Sequence, residues 1–214
     1  MKTKINYLPY VNYLKRIPEN GNHILAQQRG DQILVYQAFN PRIANYALEH
    51  QKFGGNAYSY ERMSWIKPNF LWMMYRCGWA SKEHQQLVLG IWILKSDFEQ
   101  ILKEAAYSSY QEHIYQTREN WKAALLEKEV RLQWDPDHDL HGEKQERRAI
   151  QLGLKGNILK SFGREMILEI VDMTPFVKEQ KSLIDAGKVA EVRVPFEEVF
   201  KSSNLELNTF LRLD

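Results

Sequence analysis

The stretch RMSWIKPNFLWMMYRCGW, residues 62–79, holds three of the chain's six tryptophans at a spacing of seven. It must be a membrane span, a coiled-coil seam, a core helix or part of a site. Pro68 decides where a helix can begin, because inside one it removes a hydrogen bond and its ring clashes with the turn before it. The sequence therefore predicts a helix from Pro68 to Cys77, stopped by Gly78, with RMSWIK as an extended or turning lead-in. A membrane span needs about twenty largely apolar residues. This run is about half that length and carries Arg62, Lys67 and Arg76, so insertion is not expected. Trp65 and Trp79 fall off the helix that carries Trp72, which removes any heptad meaning from the spacing.

Outward from this stretch the chain alternates strand and helix signals without a regular period. ILVYQAF (33–39) and LVLGIWIL (87–94) are short apolar, β-branched and aromatic runs of the kind buried strands show. Asn40 as N-cap and Pro41 at the first position open a helix over 41–52, with Gly54 as its stop. Ser96 with Glu99 makes a capping box for a helix to about Ala106, and Thr117 caps another to about Glu127. VRLQW (130–134) and RAIQLGL (148–154) read as strands around a charged loop, DPDHDLHGEKQE. EMILEIV is a further strand. A helix capped by Thr174 with Pro175 and ended by Gly187 follows, and then a last strand near VAEVRV. These elements predict an α+β fold in one domain, a mixed or antiparallel sheet with flanking helices.

The bulk numbers narrow the setting. The 214 residues carry 29 basic and 27 acidic side chains, so any nucleic-acid surface must be a local patch. One cysteine, Cys77, excludes an internal disulfide or a cysteine-built zinc site and suits a reducing compartment. The opening MKTKINYLPYVNYLKR has no apolar run suited to a signal peptide. The expectation is a soluble cytoplasmic protein with no membrane association.

Several polar residues stand where a core should be. Gln37 shares a strand face with Ile33, Val35 and Phe39, so it either ties the sheet to a neighbouring loop or faces a cleft. Ala149, Gln151 and Gly153 form a small–amide–small face, suited to close approach by a ligand or by a helix backbone. Arg76 lies one turn beyond Trp72 and within stacking reach of its indole. Arg62 and Lys67 flank Trp65 just before a helix start, where free N–H groups and positive potential favour phosphate. In DPDHDLH, counting from Asp135, the sixth and twelfth positions of an EF-hand loop would be Leu140 and Glu146. The glycine such a loop requires is missing, and a solvated turn is expected in place of a metal site. Cys77 reads as a small buried hydrophobe.

VYQAF, RMSWIKPNFLWMMYRCGW, VRLQWDP and RAIQLGL, in this order and spacing, resemble the domain-of-unknown-function family 4291 (DUF4291). The likeness runs from about residue 25 to 195, leaving residues 1–24 as an N-terminal extension and 196–214 as a C-terminal tail. The order strand, helix, irregular lead-in, short helix, strand is also similar to the ADP-ribosyltransferase fold. That layout implies NAD lying across the first strand and the lead-in. Tyr36, Gln37, Arg62, Trp65, Lys67 and Arg76 would then hold its ribose, rings and diphosphate. Enzymes of that fold place a glutamate on a later strand to steady the reacting sugar. Here that strand offers Gln151, with Glu146 before it and Glu61 beside Arg62 as further candidates. The resemblance implies an NAD-using transferase acting on a macromolecule such as nucleic acid, with Gln151, Glu146 and Gln37 at the reacting ribose. The alternative from the residues alone is a non-catalytic nucleic-acid or nucleotide binding module.

Overall fold

The two most apolar runs become paired central strands because both of their faces are covered. In a computed structural model that describes residues 5–214, the elements in chain order begin with β1 (Tyr7–Pro9), α1 (Tyr10–Leu14), β2 (Ile24–Ala26), β3 (Gln28–Arg29), β4 (Gln32–Phe39) and α2 (Pro41–His50). Then come β5 (Ser64–Ile66), α3 (Phe70–Cys77), β6 (Leu87–Leu94), α4 (Lys95–Lys103), β7 (Ala105–Tyr107), α5 (Glu112–Tyr115) and α6 (Arg118–Glu127). The rest are β8 (Val130–His138), β9 (Lys144–Leu154), α7 (Gly156–Ser161), β10 (Glu169–Asp172), α8 (Thr174–Asp185), β11 (Arg193–Pro195), β12 (Glu198–Phe200) and α9 (Leu205–Leu211). The first four residues of MKTKINYLPYVNYLKR lie outside the described part.

One antiparallel sheet has the order β10-β6-β4-β3, and a second has the order β5-β9-β8-β7 with only β7–β8 parallel. The fold is thus mixed helix and sheet in one domain. Two small ribbons, β1–β11 and β12–β2, bring both chain ends into it. Strand alternation sends Ile33, Val35, Leu89, Ile91 and Ile93 into a core shared with β8, β9, α2 and α4. Leu34, Tyr36, Val88 and Trp92 enter a second core with α1, α3 and α8. That double burial is why ILVYQAF and LVLGIWIL lack a polar face.

Several boundaries move for local reasons. α3 starts at Phe70 because Asn69 is the N-cap, its Oδ1 accepting from Trp72 N at 2.6 Å, which leaves Pro68 outside the helix. Gly78, at φ 59°, closes the helix in the left-handed conformation. α2 keeps its Asn40 cap but ends at Gln51, itself left-handed at φ 53°, before Gly54 is reached. The Ser96 capping box does not form: α4 begins two residues earlier, at Lys95 with Leu94 as N-cap, without a side-chain cap. Thr117 does cap α6, accepting from Asn120 N at 3.1 Å. Thr174 Oγ1 accepts from Val88 N at 3.0 Å, so it fastens α8 to the sheet. EMILEIV divides into a π-helical turn over Phe162–Met166 and the short β10.

The largest correction concerns the charged loop. β8 and β9 extend through most of DPDHDLHGEKQE and leave only residues 139–143 as the turn. Asp137 and His138 are buried there, and Asp137 Oδ2 meets Arg147 Nε at 2.5 Å. Burial raises the Asp137 carboxyl, and Arg147 opposes the shift. Pro136 is tolerated because β7 pairs with β8 only at residues 130–132, so the missing N–H faces no neighbouring strand. Among the described residues no helix is long and apolar enough to cross a membrane.

Candidate functional site

A backbone bridge joins the two large sheets. Tyr36 N donates to Lys67 O at 2.7 Å, and Lys67 N returns the bond to Tyr36 O at 3.1 Å. Beside this bridge lies a cleft of about 480 Å³, within the range of small-molecule sites. Its walls are the end of β4 (Gln37 to Phe39), Met63, Ser64, Trp65 and Lys67 of the lead-in, Met73 and Arg76 of α3, His84 and Gln85 before β6, and Gln151 of β9. A second cavity of about 450 Å³ adjoins it, sharing Phe39, Met63, Ser64 and His84, and holds Arg62.

Gln37 does both things that its position allows. Its Nε2 donates to Ser64 Oγ at 2.8 Å and to Trp65 O at 3.1 Å, tying β4 to the lead-in. Its Oε1 is buried without a hydrogen-bond partner, while the residue itself lines the cleft. A buried carbonyl left so costs on the order of 1–3 kcal/mol.

Lys67 is 4% exposed and lines the same wall. Among the described residues its ammonium has no ion pair, and burial brings it down to about 7, helped by Arg76 and opposed by Cys77 and Asp135. Arg76, three residues after Met73 on the same helix face, is exposed and lines the cleft. It does not stack on Trp72, whose indole lies parallel to His138 at 5.2 Å, with Tyr75 on His138 at 3.5 Å.

Gln151 reaches the cleft with a carboxylate behind it. Its Nε2 donates to Asp135 Oδ2 at 2.8 Å, and Gln133 Nε2 donates to Asp135 Oδ1 at 2.8 Å. Asp135 escapes a reading that ends β8 at Trp134. The signal for it is the alternation of Arg131, Gln133 and Asp135, which shows only once the strand is carried past Pro136. Gly153, two residues on, is the small residue of that face for a clear reason. A Cβ there would stand 2.7 Å from Met63 Sδ and 2.9 Å from Trp65 ring atoms, so what approaches this strand is the lead-in's own indole. Gly153→Ala is expected to cost about 1–3 kcal/mol and to shift Trp65, read by chemical denaturation and tryptophan emission.

The remaining candidates lie elsewhere. Tyr36 points to the opposite face of β4, fully buried and edge-on to Phe70 at 5.5 Å. Glu146 and Glu61 are exposed and line neither cavity. The helix N-terminus expected to take a phosphate is already filled: Phe70 N donates to Glu197 Oε1 at 2.6 Å, and Tyr13 OH and Asn69 Nδ2 donate to the other oxygen. Burial pushes the Glu197 carboxyl well above its usual range, while the bonds from Phe70 N and Tyr13 OH oppose the shift. Cys77 is buried and its thiol is raised by burial, as a structural cysteine's should be.

The model of a family described as a domain of unknown function, DUF4291, matches residues 23–200, and so takes in every wall of the cleft. The chain belongs to DUF4291. None of the curated proteins matches it. Both ends of the DUF4291 match are structural, since β2 pairs with β12 at residues 24–26 and 198–200. The flanking β1, α1 and α9 pack onto the same cores.

Proposed function

We propose that the cleft binds a dinucleotide, NAD, and that the protein transfers its ADP-ribose part to a macromolecule. One observation carries the reading: a cleft of nucleotide size joins two cations, Lys67 and Arg76, to an indole and to an amide backed by the Asp135 carboxylate. The residues fit the ligand. Lys67 without a counterion suits a diphosphate, the unpartnered Gln37 Oε1 suits a ribose hydroxyl or a carboxamide N–H, and Trp65 suits a planar ring.

NAD supplies a ribose whose bond to nicotinamide breaks with the electron pair leaving on nicotinamide and positive charge gathering on the sugar. Gln151 holds a ribose hydroxyl through its Oε1, a role supported by the commitment of its Nε2 to Asp135. Asp135 polarises that amide and sets a negative charge beside the sugar, as the strand glutamate of the similar fold does. Lys67 and Arg76 fix the phosphates so that the ribose stays at Gln151. The acceptor's nucleophile takes the sugar and loses its proton to solvent.

The test is to incubate the purified chain with NAD labelled in its adenylate part and a macromolecular extract, following label transfer and free nicotinamide. Transfer with nicotinamide release supports the reading; absence of both overturns it. Trp65→Ala is expected to weaken NAD binding about tenfold, as the loss of one stacking contact does, with titration calorimetry as the measurement.

A further inference from the structure

A third cavity, of about 360 Å³, lies across β8 from the cleft. Its lining includes Asn22, Ser108, Ser109, Gln111, Arg148 and Arg212, and no aspartate or glutamate. We infer that this cavity is a phosphate-ester site, holding a phosphate of a nucleic-acid strand or of a free nucleotide.

The cavity carries a surplus of hydrogen-bond donors. Three lining residues spend their donors on carbonyls near the end of α9. Leu211 O accepts from Trp134 Nε1 at 3.1 Å, Phe210 O from Tyr107 OH at 2.9 Å, and Arg212 O from Asn22 Nδ2 at 3.1 Å. Asp214, bonded to the lining residue Asn22, already accepts its backbone N–H at 2.7 Å, and Asp135, bonded to the lining residue Gln133, holds two amides. Arg148 uses one nitrogen, Nη2, on Trp134 O at 2.9 Å. The Arg212 side chain has no hydrogen bond or ion pair among the described residues. Two guanidinium groups, neither paired with a carboxylate, together with two serine hydroxyls, are the donor set that a tetrahedral oxyanion recruits.

The cavity is coupled to the cleft. Gln133 lines it and donates to Asp135, whose other oxygen takes Gln151 of the cleft. One carboxylate thus stands between a proposed donor site and a site for a phosphorylated acceptor. The role as acceptor site rests on the transferase reading; phosphate binding does not.

The test measures binding with no NAD present, so that failure of the transferase reading and failure of this one are distinguishable. A fluorescein-labelled twelve-nucleotide single strand is titrated by anisotropy, with AMP and inorganic phosphate as competitors. For two phosphate contacts, wild-type affinity should fall about sevenfold between 50 and 200 mM salt. Arg148→Gln with Arg212→Gln should lose at least about tenfold in affinity and flatten that slope. Arg148→Lys, which keeps the charge, should retain more binding than Arg148→Gln, and that separates recognition from misfolding. Tight oligonucleotide binding with weak AMP competition assigns the site to a strand; equal affinity for AMP assigns it to a free nucleotide. No binding of any phosphate probe, or binding indifferent to both arginines, overturns the inference.

Discussion

Asp135→Asn is expected to slow nicotinamide release by about 10²–10³-fold while leaving NAD affinity within about threefold, the size of effect that follows loss of one preorganised electrostatic partner. Two glutamines donate to the two carboxylate oxygens at 2.8 Å each. Asparagine offers one acceptor and one donor in the same outline. One glutamine must then turn its amide over, and the negative charge is gone whichever one turns. A merely structural role would lower stability and affinity together; loss of charge at a reacting sugar lowers the rate alone. Asp135→Glu keeps the charge and should recover part of the rate. A release rate for Asp135→Asn within threefold of wild type would remove Asp135 from the reaction.

Lys67→Met should stabilise the fold, on the order of 3–5 kcal/mol at pH 6, while weakening NAD binding. The unfolded lysine titrates near 10.5 and the folded one near 7, because burial disfavours the ammonium. Below pH 7 the native state carries a buried, unpaired cation at full cost. Between about 7 and 10.5 the unfolded chain holds a proton that the native chain has released, so wild-type stability rises with pH by about 1.4 kcal/mol per unit. The gap to Lys67→Met therefore is widest and flat below pH 7 and closes toward pH 10.5. Denaturant unfolding of both proteins at pH 6, 8 and 10 checks the sign; a variant less stable than wild type at pH 6 would refute it. A diphosphate entering the cleft supplies the missing counter-charge. NAD affinity should then fall as pH rises above 7, with proton uptake on binding visible in calorimetry across buffers of different ionisation heat.

How much of this is legible in the sequence varies with the range of the interactions that decide it. ILVYQAF, LVLGIWIL and the Asn40 and Thr117 caps depend on residues a few positions apart, and the chain carries them openly. Pro68 correctly separates the lead-in from α3. Gln37, Trp65, Lys67, Arg76 and Gln151 do meet in one cleft, because odd polar residues on buried strand faces need a reason to be there. What escapes is set by distant partners. Tyr36 is the exception, since local strand alternation already sets it on the face opposite Gln37. Asp137 and His138 look solvated because their charge is visible, whereas Arg147, which makes burial of Asp137 tolerable, is across a hairpin. The anion expected at the start of α3 exists, but it is Glu197, from the far end of the chain.

That last contact also sets an order of events in synthesis. Phe70 and Glu197 are 127 residues apart, so the first turn of the helix that carries Met73 and Arg76 stays without its carboxylate until most of the chain has left the ribosome. Until then Phe70, Leu71, Met73 and Met74 form an apolar segment whose leading amide has no partner. A nascent chain halted before Glu197 should be held by chaperones and cut readily within residues 62–79, whereas one extended past β12 should resist the protease.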